Sequence, residues 1–283
     1  MGFHDEGSTY VAHVTIKVAN LARSLTFYQE IIGFNVLEET ERTAVLTADG
    51  CTPLLSLQVP IQAEEKKERT TGLYHFALLL PERKDLGDFI YHLTEYGIEI
   101  GAADHLVSEA IYLSDPDGNG IELYRDRPST DWRWEGKSIC SMATDPLRYE
   151  EIIAQCEQAQ WTALPKDTVM GHIHLHVAHL EEARTFYTKG LGFKVVNEYG
   201  GQALFLSTGG YHHHIGLNTW SGVGAPKPAP NSAGLDSFLL RYPTIEERNQ
   251  AVQRLKELGS TIEENEDQAI TFDPSGIQVI LSS

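Results

Sequence analysis

The chain repeats itself, and that repetition restricts the folds open to it more than any other property. Residues 13–36 align with 172–195 at a shift of 159. Ten of the 24 aligned pairs are identical: His13/His172, Val18/Val177, Ala19/Ala178, Leu21/Leu180, Thr26/Thr185, Phe27/Phe186, Tyr28/Tyr187, Gly33/Gly192, Phe34/Phe193 and Val36/Val195. A weaker alignment joins GLYHFALLLPERKDLGDFIYHLTEYGIEI (72–100) to GLDSFLLRYPTIEERNQAVQRLKELGSTI (234–262). Together the two alignments divide the chain into four related units in the order A, B, A′, B′.

Each unit carries the same signals. A short alternating strand comes first, such as HVTIKV (13–18) or HIHLHV (172–177). A helix follows, with Asn20 placed to cap the first and Thr244 with Glu247 spelling a capping box for the fourth. A glycine closes each helix: Gly33, Gly97, Gly192 and Gly259. Further strands follow, split by turn sequences such as ADG (48–50), STGG (207–210) and DPDGNG (115–120). The pattern is βαβββ four times over, an α+β fold. It divides into a first domain over 8–126 (units one and two), a connector over 127–170 and a second domain over 171–283 (units three and four). The connector holds one expected helix, DPLRYEEIIAQCEQAQ (145–160), with Pro146 in its first turn. The irregular SGVGAPKPAPNSAG (221–234) reads as a mobile, lid-like loop.

Charge narrows the function. Forty acidic residues against 22 basic ones give a formal net charge of −18, which repels nucleic-acid backbones and anionic membrane surfaces. No apolar run approaches the ~18 residues of a membrane helix, and the start, MGFHDEGSTY, is too polar for a secretory leader. Cys51, Cys140 and Cys156 form no framework, as expected of reduced thiols in the cytoplasm.

Histidine is the chemistry-bearing residue. Seven of the 12 histidines fall within 172–214. Side chains alternate along a strand, so Ile173, Leu175 and Val177 share the face that packs on the helix, and His172, His174 and His176 share the other. By the same rule LYHFALLL (73–80) places His75 opposite Phe76 and Leu78. YHHHIGLN (211–218) places His212 and His214 opposite Ile215, with His213 on the apolar side. His4, His92 and His179 read as surface residues.

Four βαβββ units, the HV…L…FY…LGF openings and the DPDGNGIELY ending resemble the vicinal oxygen chelate superfamily. That group includes glyoxalase I, fosfomycin-resistance enzymes, bleomycin-binding proteins and extradiol dioxygenases. The resemblance covers about 10–126 and 171–283, and the arrangement is most similar to extradiol enzymes of the catechol 2,3-dioxygenase type. It implies two half-open sheet cups, each made by two units, with one divalent metal. The family places ligands on the first and last strands of a unit. Those positions are His13, His75, His172 and Ser237 on first strands, and Glu122 and Gln278 on last strands. The fourth unit therefore lacks both of its ligands. Two sets remain: His13, His75 and Glu122 if units one and two face each other, or His172, His75 and Glu122 if units two and three do. Either is a two-histidine, one-carboxylate set of the kind that holds Fe(II) with open positions, while Mn, Zn or Ni also suit such donors.

The resemblance further implies a catalytic histidine on a late strand of the partner unit, matched by His214, with His213 as the register alternative. It implies a tyrosine ten residues before the ligand glutamate, which is Tyr112. A further histidine lies shortly before that tyrosine, with His105 shifted by two. Asp115, Pro116, Gly118 and Gly120 read as turn formers. The expected activity is extradiol (meta) cleavage of a catechol by O2, a reaction of aromatic catabolism. His214 would move protons and Tyr112 would hydrogen-bond a substrate oxygen. If His214 were instead a fourth ligand, glyoxalase-like isomerase or antibiotic-modifying chemistry would follow. A non-catalytic ligand-binding protein is the third reading, though it needs no histidine cluster. The expected partners are a small aromatic and O2, with no nucleic acid or membrane, and a homo-oligomer is expected from the family alone.

Overall fold

The computed structural model describes residues 2–5, 7–136, 139–156, 161–265 and 267–283. Unit one runs through strand Tyr10–Lys17, helix Leu21–Thr26 with a π-helical turn Phe27–Ile32, and strands Asn35–Glu39, Thr43–Thr47 and Leu55–Gln58. Unit two runs through Gly72–Leu79, helix Arg83–Tyr96, Gly101–Asp104, Ser108–Ser114 and Gly120–Asp126. Unit three has Val169–His176, helix Leu180–Thr185 with a π-helical turn Phe186–Gly190, Lys194–Tyr199, Ala203–Ser207 and Ile215–Asn218. Unit four has Gly234–Arg241, helix Ile245–Glu257, Ile262–Glu264, Gln268–Phe272 and Gln278–Ser282.

The helix ends follow the chemistry of their caps. Asn20 Oδ1 accepts from the Arg23 N–H at 3.0 Å, and Thr244 Oγ1 accepts from the Glu247 N–H at 3.2 Å. Gly33, Gly97, Gly192 and Gly259 all have positive φ, between 62° and 95°, where a side chain would be strained.

Among the described residues the strands form two eight-stranded sheets and a two-stranded ribbon in the connector. In the first sheet Tyr10–Lys17 of unit one pairs antiparallel with Gly234–Arg241 of unit four. In the second, Gly72–Leu79 of unit two pairs antiparallel with Val169–His176 of unit three. Each sheet thus draws one unit from either half of the chain, and the segments 8–126 and 171–283 interlock. The apolar strand faces predicted from alternation (Phe76, Leu78, Ile173, Leu175, Val177) are all fully buried in one continuous core with the helices.

The repeated motif residues tie the two sheets together. Tyr28, from the first FY, donates to Asp115 Oδ2 at 2.9 Å, and Tyr187, from the second, donates to Asp273 Oδ2 at 3.2 Å. Each bond runs from the helix of one unit to the turn of the next, so the Asp–Pro turns are structural fasteners. Burial pushes the Asp273 carboxyl up to about 6.

Two expectations change. The helix expected over 145–160 forms only as Tyr149–Ile153, and 157–160 lie outside the described residues. The connector instead clamps unit one, with Trp161 Nε1 donating to Ile32 O at 3.1 Å and the Leu164 N–H donating to Gly33 O at 2.8 Å. The 221–234 loop is fastened rather than free. Pro226 O and Asn231 O accept from the Thr71 and Glu64 N–H groups, and the Ala233 N–H donates to Glu64 O. No helix among the described residues is long and apolar enough to cross a membrane.

Gly120 shows how tightly the second sheet is packed. A Cβ there would run into the Tyr74 carbonyl, which is backbone and cannot swing away. Gly120→Ala is expected to cost about 2 kcal/mol or more and to lower the thermal midpoint by roughly 5 °C in a circular-dichroism melt. An unchanged midpoint would show that this strand pair yields freely.

Candidate metal centre

Three adjacent strands build the site. Ala77, on Gly72–Leu79, pairs with Glu122 on one side and with His172 on the other, and His75 precedes it by two residues on the same face. The small side chain at 77 leaves the larger groups around it room to converge. Glu122 Oε2 lies 3.0 Å from His75 Nε2 and 3.0 Å from His172 Nε2. The candidate donor atoms of all three residues lie within 4.8 Å of one another. His75 is 6% exposed, Glu122 2% and His172 1%.

The electrostatics suit a cation. Burial pushes the Glu122 carboxyl up, but the His172 and His75 imidazoles outweigh it and hold the group well below the usual carboxylate range. Burial lowers His172, favouring the neutral imidazole that can bind metal. His75 Nε2 faces the carboxylate without hydrogen-bond alignment and has no hydrogen-bond partner among the described residues. Buried polar atoms are rarely left so. Adjacent ligands ~2.1 Å from an octahedral ion are ~3.0 Å apart, the separation observed on both edges of Glu122. The donor set therefore fits a divalent ion, and two imidazoles with one carboxylate match the facial arrangement that suits non-haem Fe(II).

Tyr112 lies directly across the strand pair from Glu122. Its hydroxyl is 2.5 Å from His105 Nε2, and His105 Nδ1 is 2.6 Å from Ala143 O. A carbonyl only accepts, so the His105 proton sits on Nδ1 and Nε2 accepts from Tyr112. Burial, then Glu122, push the Tyr112 phenol well above its ordinary range, so it stays a donor. The shift of two in the spacing of His105 does not separate it from Tyr112.

The YHHH segment departs from alternation. Its strand begins only at Ile215, so residues 211–214 follow no period of two. His214 turns away from the triad: its Nε2 donates to Phe3 O at 2.8 Å, and Ser207 Oγ and the Thr208 N–H lie 3.4 Å from its Nδ1. His213 stands at the triad instead, its ring centroid 4.2 Å from that of His172. Behind it, His212 Nε2 donates to Asp126 Oδ1 at 2.8 Å, and His212 Nδ1 is 2.8 Å from His213 Nδ1. With its proton committed to Asp126, His212 accepts from the His213 Nδ1–H, which leaves His213 Nε2 as an acceptor. Burial holds both His213 and His214 well below the ordinary imidazole value.

His13 belongs to the other sheet, bonded through Nε2 to Ser56 Oγ at 2.9 Å. The triad that forms is His75, Glu122 and His172, and the reading that joined His13 to His75 and Glu122 is corrected. Unit one faces unit four, where the two ligand positions hold Ser237 and its pair Gln278, neither of them a carboxylate. Sequence reasoning missed Asp126 and the role of His212, for which a carboxylate at the end of the GIELYRD strand was the only signal. It also missed Tyr74, which a register shift in its strand brings beside His75 and His174.

The fold and site define the class: the chain belongs to the Glyoxalase/Bleomycin resistance protein/Dioxygenase superfamily, whose family profile matches residues 10–123 and 169–281. Within that superfamily it is similar to the catechol-2,3-dioxygenase of Bacillus subtilis (strain 168), with 48% identity over 268 residues and 94% of each chain covered. The fold is shared with a solved Bacillus subtilis structure (TM-score 0.67, 13% identity, 97% of this chain and 85% of that one). It is also shared with glyoxalase I of Zea mays (TM-score 0.57, 18% identity, 98% and 92%).

Proposed function

We propose that the chain is an extradiol ring-cleaving dioxygenase that opens a catechol with O2, using Fe(II) held by His75, His172 and Glu122. The reading is carried by one observation: a buried carboxylate oxygen 3.0 Å from two imidazole nitrogens, on a scaffold 48% identical to a catechol-2,3-dioxygenase. Bound there, Fe(II) supplies the redox chemistry that joins a catechol to dioxygen. Both oxygen atoms enter the product as the carbon–carbon bond beside the diol breaks, so no external reductant is needed.

The residues of the chain do the rest. Tyr112 rests with its single O–H on His105 Nε2 and turns that donor to a substrate oxygen when substrate binds. His213 Nε2 takes up a substrate proton, its ring fixed by the His212–Asp126 pair. The segments 8–126 and 171–283 are proposed as the duplicated domains, each supplying part of the site.

The test is anaerobic loading with Fe(II), addition of catechol and admission of air. Stoichiometric oxygen uptake with a yellow ring-opened product is expected. No uptake with several catechols, while Zn-loaded protein rearranges a thiol adduct, would overturn the proposal.

A further inference from the structure

A cavity of about 1030 Å³ opens onto His75 and Tyr112. That volume lies at the upper end of ligand pockets and far exceeds what one aromatic ring fills. The extra room has a chemical character. Lys66 lines it, partly buried, with Nζ donating to Gly118 O at 2.7 Å and to Leu73 O at 3.4 Å. Those two carbonyls belong to the strand and turn that frame the site, since Leu73 lies two residues before His75 and His75 pairs with Gly120. Two residues of strand span ~7 Å, so the ammonium is held a short side chain's reach from the triad.

Among the described residues, Lys66 has no carboxylate in salt-bridge range. Its neighbours are already committed: Lys67 pairs with Glu64 at 3.3 Å, and Asp117, on the same cavity wall, pairs with Arg23 at 2.5 Å. The other acids on the rim, Glu68 and Glu99, are exposed. The ammonium is held by two carbonyls, with the Asp115 carboxylate attracting it from beyond salt-bridge range, and of its three donors two are used. In a chain of net charge −18, a lysine held inside the cleft without a salt-bridge partner, with Arg69 lining the same cavity, is a feature that would admit an anion. Tyr74, half exposed on the cavity wall, offers aromatic surface there, with the Trp220 ring centroid 5.3 Å from its own.

Resting on the ring-cleavage reading, we propose that Lys66 binds a carboxylate on the substrate's side chain, so that the preferred catechols carry an acid group rather than a neutral alkyl group. The third N–H of Lys66 is the contacting donor, and the ring lies between it and the triad.

The experiment compares 3-(3,4-dihydroxyphenyl)propionate with its methyl ester on Fe(II)-loaded protein, measuring kcat and KM. Anaerobic binding of each is followed in parallel by tryptophan fluorescence. The wild type is expected to prefer the acid about tenfold in kcat/KM and in binding, as one charge-assisted hydrogen bond allows. Lys66→Met should erase that preference, mainly through the KM of the acid, and Lys66→Arg should restore most of it. Equal cleavage of acid and ester by the wild type overturns the inference and leaves ring cleavage standing. So does an equal loss on both in Lys66→Met, which is what a mere anchor for the loop would give. If neither compound is cleaved but the acid binds in a Lys66-dependent way, ring cleavage falls and the anion subsite stands. If neither is cleaved and binding shows no acid preference, both fall.

Discussion

His172→Ala is expected to reduce divalent-metal affinity by more than ~100-fold and to remove ring cleavage with it, whereas His13→Ala leaves metal content unchanged. Losing a residue that only orients a ligand costs 10–100-fold, so deleting one of three donors costs more. The contrast between the variants is the informative part. The two histidines are equivalent by repeat, each the first histidine on its unit's opening strand, yet only His172 pairs into the sheet that carries His75 and Glu122. Metal content after gel filtration in Fe(II) or Mn(II), with competition titration, reads the difference directly. Metal loss in His13→Ala with retention in His172→Ala would mean that the strand pairing described above is not the one that holds the ion.

The metal-free protein is expected to lose much of its stability between pH 6.5 and pH 4. Burial lowers His4 and His13 from 6.5 to about 4 each. Between those values the unfolded chain takes up protons that the folded chain refuses. The stabilisation from keeping these rings neutral is therefore complete above 6.5 and disappears as the pH falls toward 4. Each shift corresponds to at most about 3 kcal/mol, and to less for rings that solvent partly reaches, set against a total of roughly 5–15 kcal/mol for a folded domain. Burial lowers His213 and His214 in the same direction. Urea unfolding at pH 7 and pH 5 should show a clear fall in midpoint, with a shallower fall in His13→Gln. A midpoint independent of pH over that range would contradict the neutral state of these rings in the folded chain.

What the sequence made legible was local or periodic. The repeat, the caps at Asn20 and Thr244, the closing glycines and the faces of HIHLHV all depend on neighbours within a few residues, and the structure has them. His75 and Glu122 were common to both ligand sets because they lie on one unit. Pairing between units was not legible, since it depends on strands about 95 to 230 residues apart, and the openings of units one and three, the rival partners of unit two, are alike. His214 was favoured over His213 by alternation, which applies only where there is a strand, and 211–214 are not one. His92 and His4 were assigned to the surface. His92 instead lies buried with its ring near Phe89 and Trp161, its Nε2 3.2 Å from Glu30 O, and His4 Nε2 lies 2.7 Å from Gly171 O. The partners that cover them come from the connector and from distant strands, which no local pattern reveals.

The interlocked halves have a consequence for assembly. Residues up to the connector contribute His75 and Glu122, and the rest contribute His172, so neither fragment of a chain cleaved at the connector could grip an ion alone. An ion seated among the three would act as a rivet through the central seam, opposing separation of the halves. Loading the protein and holding it together are then one event.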